Sequence, residues 1–209
     1  MRDYFEYGEK ETEHLSKKDK KLGAAIDKIG MIRRGTNPDL FSALVESIIS
    51  QQISAKAAAT VRGRLFGLCG DEDLAQRLSA MEVAQIQACG MSSRKASYIK
   101  GAADAFVSGK VDFAALAHKS DDRIIKELTA LNGVGVWTAE MLLIFSLQRP
   151  NVCSYGDLAI RRGMCVLYGI KEYELTKERF SLYAKRYAPY GSVASLYLWE
   201  ISDPDFGKY

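Results

Sequence analysis

The apolar residues of this chain recur at intervals of three and four positions, the spacing that places them on one face of a helix. In the first charged segment Leu22, Ala25, Ile26 and Ile29 follow this spacing. Only four prolines interrupt the chain, and no segment alternates apolar and polar residues as a half-buried strand does. The pattern predicts an all-α fold, with helices at about 15–29, 40–50, 55–66, 74–80, 83–89, 93–108, 113–117, 121–131, 138–147, 158–168, 177–187 and 193–201.

Two of these predicted helices begin at a recognisable start signal. Asn37 and Pro38 precede helix 40–50, and we predict them as its cap and its first-turn proline. Asp157 directly precedes helix 158–168, where an aspartate ordinarily accepts a hydrogen bond from a first-turn N–H group. Capping is therefore the structural interpretation of Asp157, against which any chemical role must be weighed.

A Gly-x-Gly turn separates helices 121–131 and 138–147. Gly133 and Gly135 suit a tight turn, since glycine reaches positive φ and lets another backbone approach closely. The N–H groups of Val134 to Trp137 are expected at the start of the second helix, where unpaired donors and the helix dipole favour an anion. The segment predicts a helix, a turn and a helix able to hold a phosphate. An ordinary turn between two packed helices is the alternative.

Composition and charge permit several classes of protein. The chain has 209 residues, 47% of them hydrophobic, and a net charge of +3, which is compatible with a polyanionic partner without requiring one. Cys69, Cys89, Cys153 and Cys165 form no Cys-x-x-Cys pair, and the chain holds two histidines. We therefore expect no zinc site. No stretch approaches the length that spans a membrane.

Several stretches, in order along the chain, carry a resemblance to a known family. These are 38–41 and 48–58, then 90–99, the Gly-x-Gly turn with its helices, 155–163 and finally 190–199. Together they resemble the helix-hairpin-helix (HhH-GPD) DNA glycosylase superfamily, and within it the DNA-3-methyladenine glycosylase II branch, which excises alkylated bases. The resemblance extends from about residue 26 to residue 199. It is more specific than the turn alone, because separate motifs occur in the family's order.

The resemblance implies a two-lobed helical bundle of the DNA glycosylase type with a DNA-binding cleft between its lobes. The expected central lobe is 37–147 and contains the hairpin, while 1–36 and 148–209 form the second lobe of one glycosylase unit, 1–209. Some relatives carry an iron–sulfur cluster on four cysteines near the C-terminus. Because no cysteine follows Cys165, no cluster is expected.

The resemblance also assigns the chemistry to one carboxylate. Cleavage of an N-glycosidic bond builds positive charge on the sugar, which a nearby carboxylate stabilises while orienting or activating water. The family places its catalytic aspartate at the position of Asp157, and one residue can serve both as cap and as catalyst. Relatives that also cut the strand have a lysine at the position of Trp137, whose amine forms a Schiff base. The expected enzyme is therefore a monofunctional N-glycosylase, a hydrolase without lyase activity that leaves an abasic site.

Three residues are expected to line the pocket for the flipped base: Trp137, Tyr155 and Met141. An aromatic face attracts alkylated purines, which carry positive charge. For Trp137 a position in the hydrophobic core is the alternative. Met141 stands where some relatives have an aromatic residue, which leaves the breadth of the pocket open.

The remaining expected contacts involve DNA. The hairpin residues are Gly133, Val134, Gly135 and Thr138. The turn at 50–54 matches the family's wedge loop, in which a side chain fills the gap left by the flipped base. Gln52 occupies the inserting position with Ile53 beside it, and a plain polar loop is the alternative. Candidates for phosphate contacts are Arg94, Lys95, Arg161 and Arg162, although such side chains mostly face water.

Cofactor, partner and location follow from the same resemblance. No catalytic cofactor is expected. Backbone carbonyls at Thr129, Leu131 and Val134 correspond to those that bind a structural Na⁺ or K⁺ in relatives. The expected partner is double-stranded DNA with a damaged base, bound by a monomer. Free cysteines and the absence of a signal segment favour the cytoplasm in a prokaryote, and a DNA partner favours the nucleus in a eukaryote.

Two other functions remain open from the sequence. A non-catalytic helix-hairpin-helix module would bind DNA through Gly133 and Gly135 without needing Asp157. A glycosylase for oxidised or mismatched bases is the other, although its commonest forms carry the lysine or the cluster that this chain lacks. Spacing does not reveal which alkylated base is preferred, because pocket shape determines that choice.

Overall fold

The computed structural model describes residues 4–70, 72–204 and 206. Within these ranges the regular structure is helical, apart from an isolated bridge between Tyr4 and Gly35. The all-α prediction is confirmed. The helices are α1 Glu9–Lys18, α2 Lys20–Ile29, α3 Leu40–Ser50, α4 Ala55–Cys69, α5 Leu74–Ala80, α6 Val83–Gln87, α7 Ser93–Val107, α8 Phe113–Leu116, α9 Asp121–Leu128, α10 Val136–Phe145, α11 Leu158–Tyr168, a 3-10 turn Glu172–Glu174, α12 Lys177–Tyr187 and α13 Gly191–Ile201.

The prediction of one helix over 15–29 is wrong, because the chain forms two helices that meet at Asp19. This residue is extended, with φ −141° and ψ 106°, and its Oδ1 accepts from the N–H groups of Lys21 and Leu22 at 3.1 Å. Its own N–H donates to the Leu15 carbonyl at 2.8 Å and ends α1. An N-cap aspartate inside a run of lysines therefore divides the predicted helix.

The chain divides into two compact units. The central unit is Asn37–Leu142, and the terminal unit combines Met1–Thr36 with Leu143–Tyr209. The boundary lies inside α10, five residues before the predicted boundary at 147. That both units form one glycosylase domain stays a prediction, and its ends at 1–3 and 207–209 lie outside the described residues.

The central unit is organised by α3, whose apolar residues are almost all buried. Leu44, Val45 and Ile48 are 0% exposed. Asp39 caps this helix by accepting from the Ser42 N–H at 3.1 Å. The prediction that Asn37 is the cap is therefore wrong: its side chain accepts from the Asp39 N–H one turn earlier. The short aspartate side chain reaches the first-turn donors because it lies directly before Leu40.

The terminal unit is built on α13, in which every residue from 191 to 198 is buried. Helix α11 packs against it through Gly163, where a Cβ atom would overlap the carbonyl oxygen of Leu198. A polar cluster joins other helices of this unit: the Tyr168 hydroxyl donates to Asp19 Oδ2 at 2.6 Å and lies 2.8 Å from the Tyr187 hydroxyl. Burial is the main cause that raises the pKa of both tyrosines far above the usual value.

Neither a membrane span nor an acidic, histidine or cysteine metal cluster is found in the described part of the chain. None of its helices combines sufficient length with sufficient apolar character to cross a bilayer. No group of three or more such side chains is placed to hold a metal ion.

Candidate functional site

The predicted hairpin forms from α9, a turn at 129–135 that we call the hairpin turn, and α10. Helix α9 ends at Leu128, three residues before the predicted end at 131, and α10 begins at Val136, two residues before the predicted start at 138. The Val134 N–H donates to the Leu131 carbonyl at 3.2 Å, so the expectation that it points freely toward an anion is wrong. The Gly135 carbonyl accepts the first bond of α10, from Ala139. The N–H groups at the start of α10, which the helix itself does not pair, are therefore those that follow Val134.

The fold requires a glycine at one of the two glycine positions of the hairpin turn and not at the other. Gly133 has φ 83°, and a Cβ atom there would overlap the ring of Tyr98. Gly135 does not have positive φ, and a Cβ atom there would have no neighbour within 4 Å. Folding of the central unit thus explains Gly133 and leaves Gly135 unexplained. The space at Gly135 is open to an approach from outside the chain, which a glycine allows to come close to the backbone.

Trp137 lies in the first turn of α10 and is 43% exposed, which excludes the alternative that it is a core residue. Its neighbour Val136 is also exposed, whereas Thr138 is buried and Met141 is half-buried. Of the predicted hairpin and pocket residues on this helix, Trp137 therefore presents the most apolar surface to solvent. A ligand could cover that surface.

Asp157 caps α11, as the structural interpretation predicts. Its Oδ1 accepts from the Ile160 N–H at 2.9 Å and from the Trp199 indole Nε1–H at 3.1 Å. The residue is 7% exposed. Two N–H donors on one oxygen fix the orientation of the carboxylate. The residue is thus a cap and, at the same time, an oriented buried carboxylate.

Sequence analysis did not single out Trp199, the residue that holds Asp157 from α13. Its ring stacks on Phe145, with ring centres 5.5 Å apart and planes at 29°. The Arg34 guanidinium lies 5.8 Å from the centre of the same ring. The two partners of Asp157 are 3 and 42 positions away in sequence, and no pattern along the chain connects Asp157 to Trp199. The only signal was that both stretches, 155–163 and 190–199, match family motifs.

Tyr155 belongs to the same unit as Asp157 and packs within it. Its ring meets Phe180 edge to face at 5.3 Å, and the Arg161 guanidinium lies 5.3 Å from its centre. Arg161 also lies 3.9 Å from a carboxylate oxygen of Glu172. Its role as a phosphate contact, like the pocket role of Tyr155, stays a prediction.

The wedge turn, residues 50–54, connects α3 and α4. Gln52 is exposed and has φ 56°, a left-handed backbone conformation that residues other than glycine rarely adopt. Ile53 is 40% exposed. Gln51 faces inward instead: its Nε2 donates to the Gly133 carbonyl at 2.9 Å. The structure therefore connects the wedge turn directly to the hairpin turn within the central unit.

Lys95 lies beside this connection and does not present a free cation. Its Nζ donates to the carbonyls of Ile49 at 2.8 Å and Gln51 at 2.5 Å. The role of Lys95 as a phosphate contact stays a prediction, with one N–H donor of its ammonium left beyond these two bonds. Arg94 next to it is exposed. The two turns border a groove of about 650 Å³, whose lining includes Gln51, Gln52, Arg94, Lys95, Tyr98 and Gly133.

The predicted cation ligands are carbonyl oxygens of the hairpin turn. The Leu131 carbonyl accepts the 3.2 Å bond from Val134 and keeps a second lone pair. Neutral oxygen donors of this kind suit Na⁺ and K⁺, so the residue types at Thr129, Leu131 and Val134 fit. The cation itself stays a prediction.

Comparisons with known proteins agree on one family. Residues 45–189 match the HhH-GPD superfamily base excision DNA repair protein family. The chain is 31% identical to DNA-3-methyladenine glycosylase 1 of Schizosaccharomyces pombe, over 90% of this chain and 85% of that protein. The structure of a DNA-3-methyladenine glycosidase from Bacillus halodurans is similar, with a TM-score of 0.87 and 34% identity, covering 99% and 95% of the two chains. The structure of the Schizosaccharomyces pombe 3-methyladenine DNA glycosylase in complex with abasic DNA is also similar, with a TM-score of 0.75 and 29% sequence identity. The match covers 91% of this chain and 95% of that chain.

Proposed function

Because the chain belongs to the HhH-GPD superfamily of base excision DNA repair proteins, in its 3-methyladenine glycosylase branch, we propose that it excises alkylated purines from duplex DNA. The reaction is hydrolysis of the N-glycosidic bond, which releases the free base and leaves an abasic site. The observation that carries the proposal is the oriented carboxylate of Asp157, held by Ile160 and Trp199. The names of the relatives at 31% and 34% identity support an alkylated purine as the substrate.

Asp157 performs the chemical step in this proposal. As the bond to the base stretches, positive charge grows on the sugar, and a carboxylate already oriented in a buried site stabilises that charge without reorganisation. The Ile160 N–H and the Trp199 indole hold Oδ1, which fixes the orientation of the carboxylate. The base leaves with the bonding electron pair, which neutralises the positive charge of an alkylated purine. Water then adds to the sugar carbon, and the Asp157 carboxylate accepts its proton.

The expected product is an intact strand with an abasic site. A lyase reaction requires an amine that attacks the sugar, and the position of the family's lysine holds Trp137, whose indole has no nucleophile of this kind. Trp137 instead offers an exposed aromatic face on which a cationic base can stack. Strand breaks should therefore appear only after treatment with alkali.

DNA binding is proposed for the hairpin and wedge turns. The open space at Gly135 lets a phosphate approach the backbone at the start of α10, where the N–H groups and the helix dipole attract it. Gln52 and Ile53 are the exposed residues of the wedge turn that would fill the gap in the duplex. The protein acts as a monomer in this proposal. A monovalent cation at the hairpin carbonyls has a structural role only.

The test is base release from methylated duplex DNA by the wild-type protein and by Asp157→Asn. Asparagine keeps an oxygen for Ile160 and Trp199 but loses the negative charge, so the variant separates chemistry from capping. We expect free 3-methyladenine or 7-methylguanine from the wild type, loss of release in the variant, and strand breaks only after alkali. DNA binding without release of any alkylated or deaminated base would leave a non-catalytic binding module. Strand breaks without alkali would contradict the monofunctional reaction.

A further inference from the structure

The lysine at the start of α7 holds the end of another helix. Lys95 Nζ donates to the carbonyls of Ile49 and Gln51, at 2.8 and 2.5 Å. These carbonyls stand at the C-terminal end of α3, where the helix leaves its last acceptors unpaired and its dipole attracts a cation. Burial lowers the pKa of Lys95. Lys95 therefore fixes the point at which the chain leaves α3 and enters the wedge turn.

Gln51 continues this connection to the hairpin turn. Its carbonyl accepts from Lys95, while its side-chain Nε2 donates to the Gly133 carbonyl at 2.9 Å. The ring of Tyr98, one turn beyond Lys95 on α7, occupies the space beside Gly133. On α7, Lys95 thus contacts the wedge turn and Tyr98 lies against the hairpin turn, while Gln51 joins the two turns to each other.

The next residue shows why the wedge turn needs such support. Gln52 has φ 56°, a left-handed conformation that is unfavourable for a residue with a Cβ atom. A strained backbone persists only where its surroundings determine it. The bonds on either side of Gln51 supply that constraint, while the Gln52 side chain remains exposed.

We propose that Lys95 and Gln51 form a polar strut that sets the wedge turn against the hairpin turn, so that Lys95 is a positioning residue for filling the gap beneath a flipped base. The proposal rests on the proposed glycosylase function. If Lys95 only capped a helix, its loss would lower the stability of the protein and leave its DNA preference unchanged. If it only contacted a phosphate, its loss would weaken binding to every duplex equally.

The test measures how much more tightly the protein binds duplex DNA with a tetrahydrofuran abasic analogue than the same intact duplex. Only the abasic duplex offers a gap for the wedge turn. We expect Lys95→Met to lower this preference at least about tenfold, the size of one lost charge-assisted hydrogen bond. Lys95→Arg, which keeps the charge and several donors, should retain most of it. Gln51→Met, which removes the donor to Gly133, should lower it as Lys95→Met does, and tests the strut independently if Lys95→Met does not fold.

Lys100 on the same helix provides the matched control. Its Nζ donates to the Ser79 carbonyl at 2.6 Å and to Asp104 at 2.7 Å, so it makes similar bonds at the end of α5 and none to the wedge turn. Lys100→Met should keep the wild-type preference.

Three results would overturn the strut: an unchanged preference in Lys95→Met, equal weakening of both duplexes, or no preference in the wild type. Failure of the proposed function is separate, because it appears as a lack of base release by a wild type that still prefers the abasic duplex.

Discussion

In the central unit, the wedge and hairpin turns expose Gln52, Ile53 and Gly135 to solvent. Lys95 of α7 and the Gln51 side chain hold these turns through backbone carbonyls. In the terminal unit the relation is reversed: Asp157 is a side chain, held by a backbone N–H and an indole in a packed set of helices. The first arrangement suits a surface that must meet a polymer at several points. The second suits a single charge that must keep one orientation while a bond breaks.

The comparison implies that the two regions fail differently when they are altered. Changes at Asp157 should remove catalysis while the fold survives, because its capping oxygen can be kept. Changes at the turns should act on folding or on DNA affinity according to whether the altered atom faces the chain or the solvent.

Asp157→Asn should lower base release about a thousandfold, the scale on which oriented catalytic groups contribute. Its melting temperature should remain close to that of the wild type. Asp19 is the matched control, because it is also a buried aspartate that caps a helix of the terminal unit. Asp19→Asn should lower stability and leave the release rate of the folded protein unchanged. Single-turnover release and thermal unfolding measure the two effects. A loss below tenfold in Asp157→Asn would remove the catalytic role and leave the cap.

Gly133→Ala and Gly135→Ala should separate folding from binding within one turn. At Gly133 the added methyl group meets the Tyr98 ring in a left-handed conformation, and we expect a loss of about 3 kcal/mol in the free energy of unfolding. At Gly135 the methyl group enters open space, so stability should change by less than about 0.5 kcal/mol. DNA affinity of Gly135→Ala should fall nevertheless. Denaturant titration and fluorescence anisotropy measure both, and unchanged affinity would exclude a backbone contact there.

Much of the helical framework could be predicted from the sequence, because local signals act there. The bounds of α3, α5, α11 and α12 were predicted as the structure has them, since apolar spacing coincided with a nearby cap. A single helix was predicted over 15–29 because the helical spacing of apolar residues continues across Asp19, where the chain in fact starts a second helix. The ends near the hairpin were misplaced, since a turn bond from Val134 to Leu131 competes with further helix.

The candidate site divides in the same way. Asp157, Gly133 and Gln52 were identified because each lies in a recognisable motif. Their holding partners were not, because Trp199 reaches Asp157 across 42 positions and Lys95 reaches Ile49 across 46. Packing of distant helices creates these contacts, and no spacing rule contains them. Motifs thus indicated the candidate site residues, whereas the residues that orient them could be identified only from the fold.

Trp199→Phe should sharpen the comparison, because it removes one donor from Asp157 and keeps an aromatic ring at this half-buried position. One charge-assisted hydrogen bond corresponds to about a tenfold loss of base release. Phe145→Leu is the control, because it removes the stacking partner of Trp199 and leaves the indole N–H in place. We expect its release rate to fall by less than that of Trp199→Phe. Equal losses in single-turnover assays would indicate that packing, and not the hydrogen bond, supports the carboxylate.

The smallest effect is expected at Tyr168, whose hydroxyl bonds to Asp19 and lies beside Tyr187 in the terminal unit. Ile160 and Trp199, which hold Asp157, are not among these partners. Tyr168→Phe removes the 2.6 Å bond to the buried Asp19 and should cost about 1–2 kcal/mol of unfolding free energy at neutral pH. Burial and Asp19 raise the pKa of Tyr168, so the folded state favours the protonated phenol. That contribution is fully present below the ordinary tyrosine pKa of about 10 and is lost as pH rises above it, so the stabilities of wild type and variant should converge in alkaline solution.

Base release by the folded variant should match the wild type. Tyr173→Phe, at a tyrosine that is 77% exposed, should change neither stability nor base release. A release rate lowered in Tyr168→Phe alone would show that the rigidity of this cluster reaches the carboxylate, and the separation of support and chemistry in the terminal unit would then not hold.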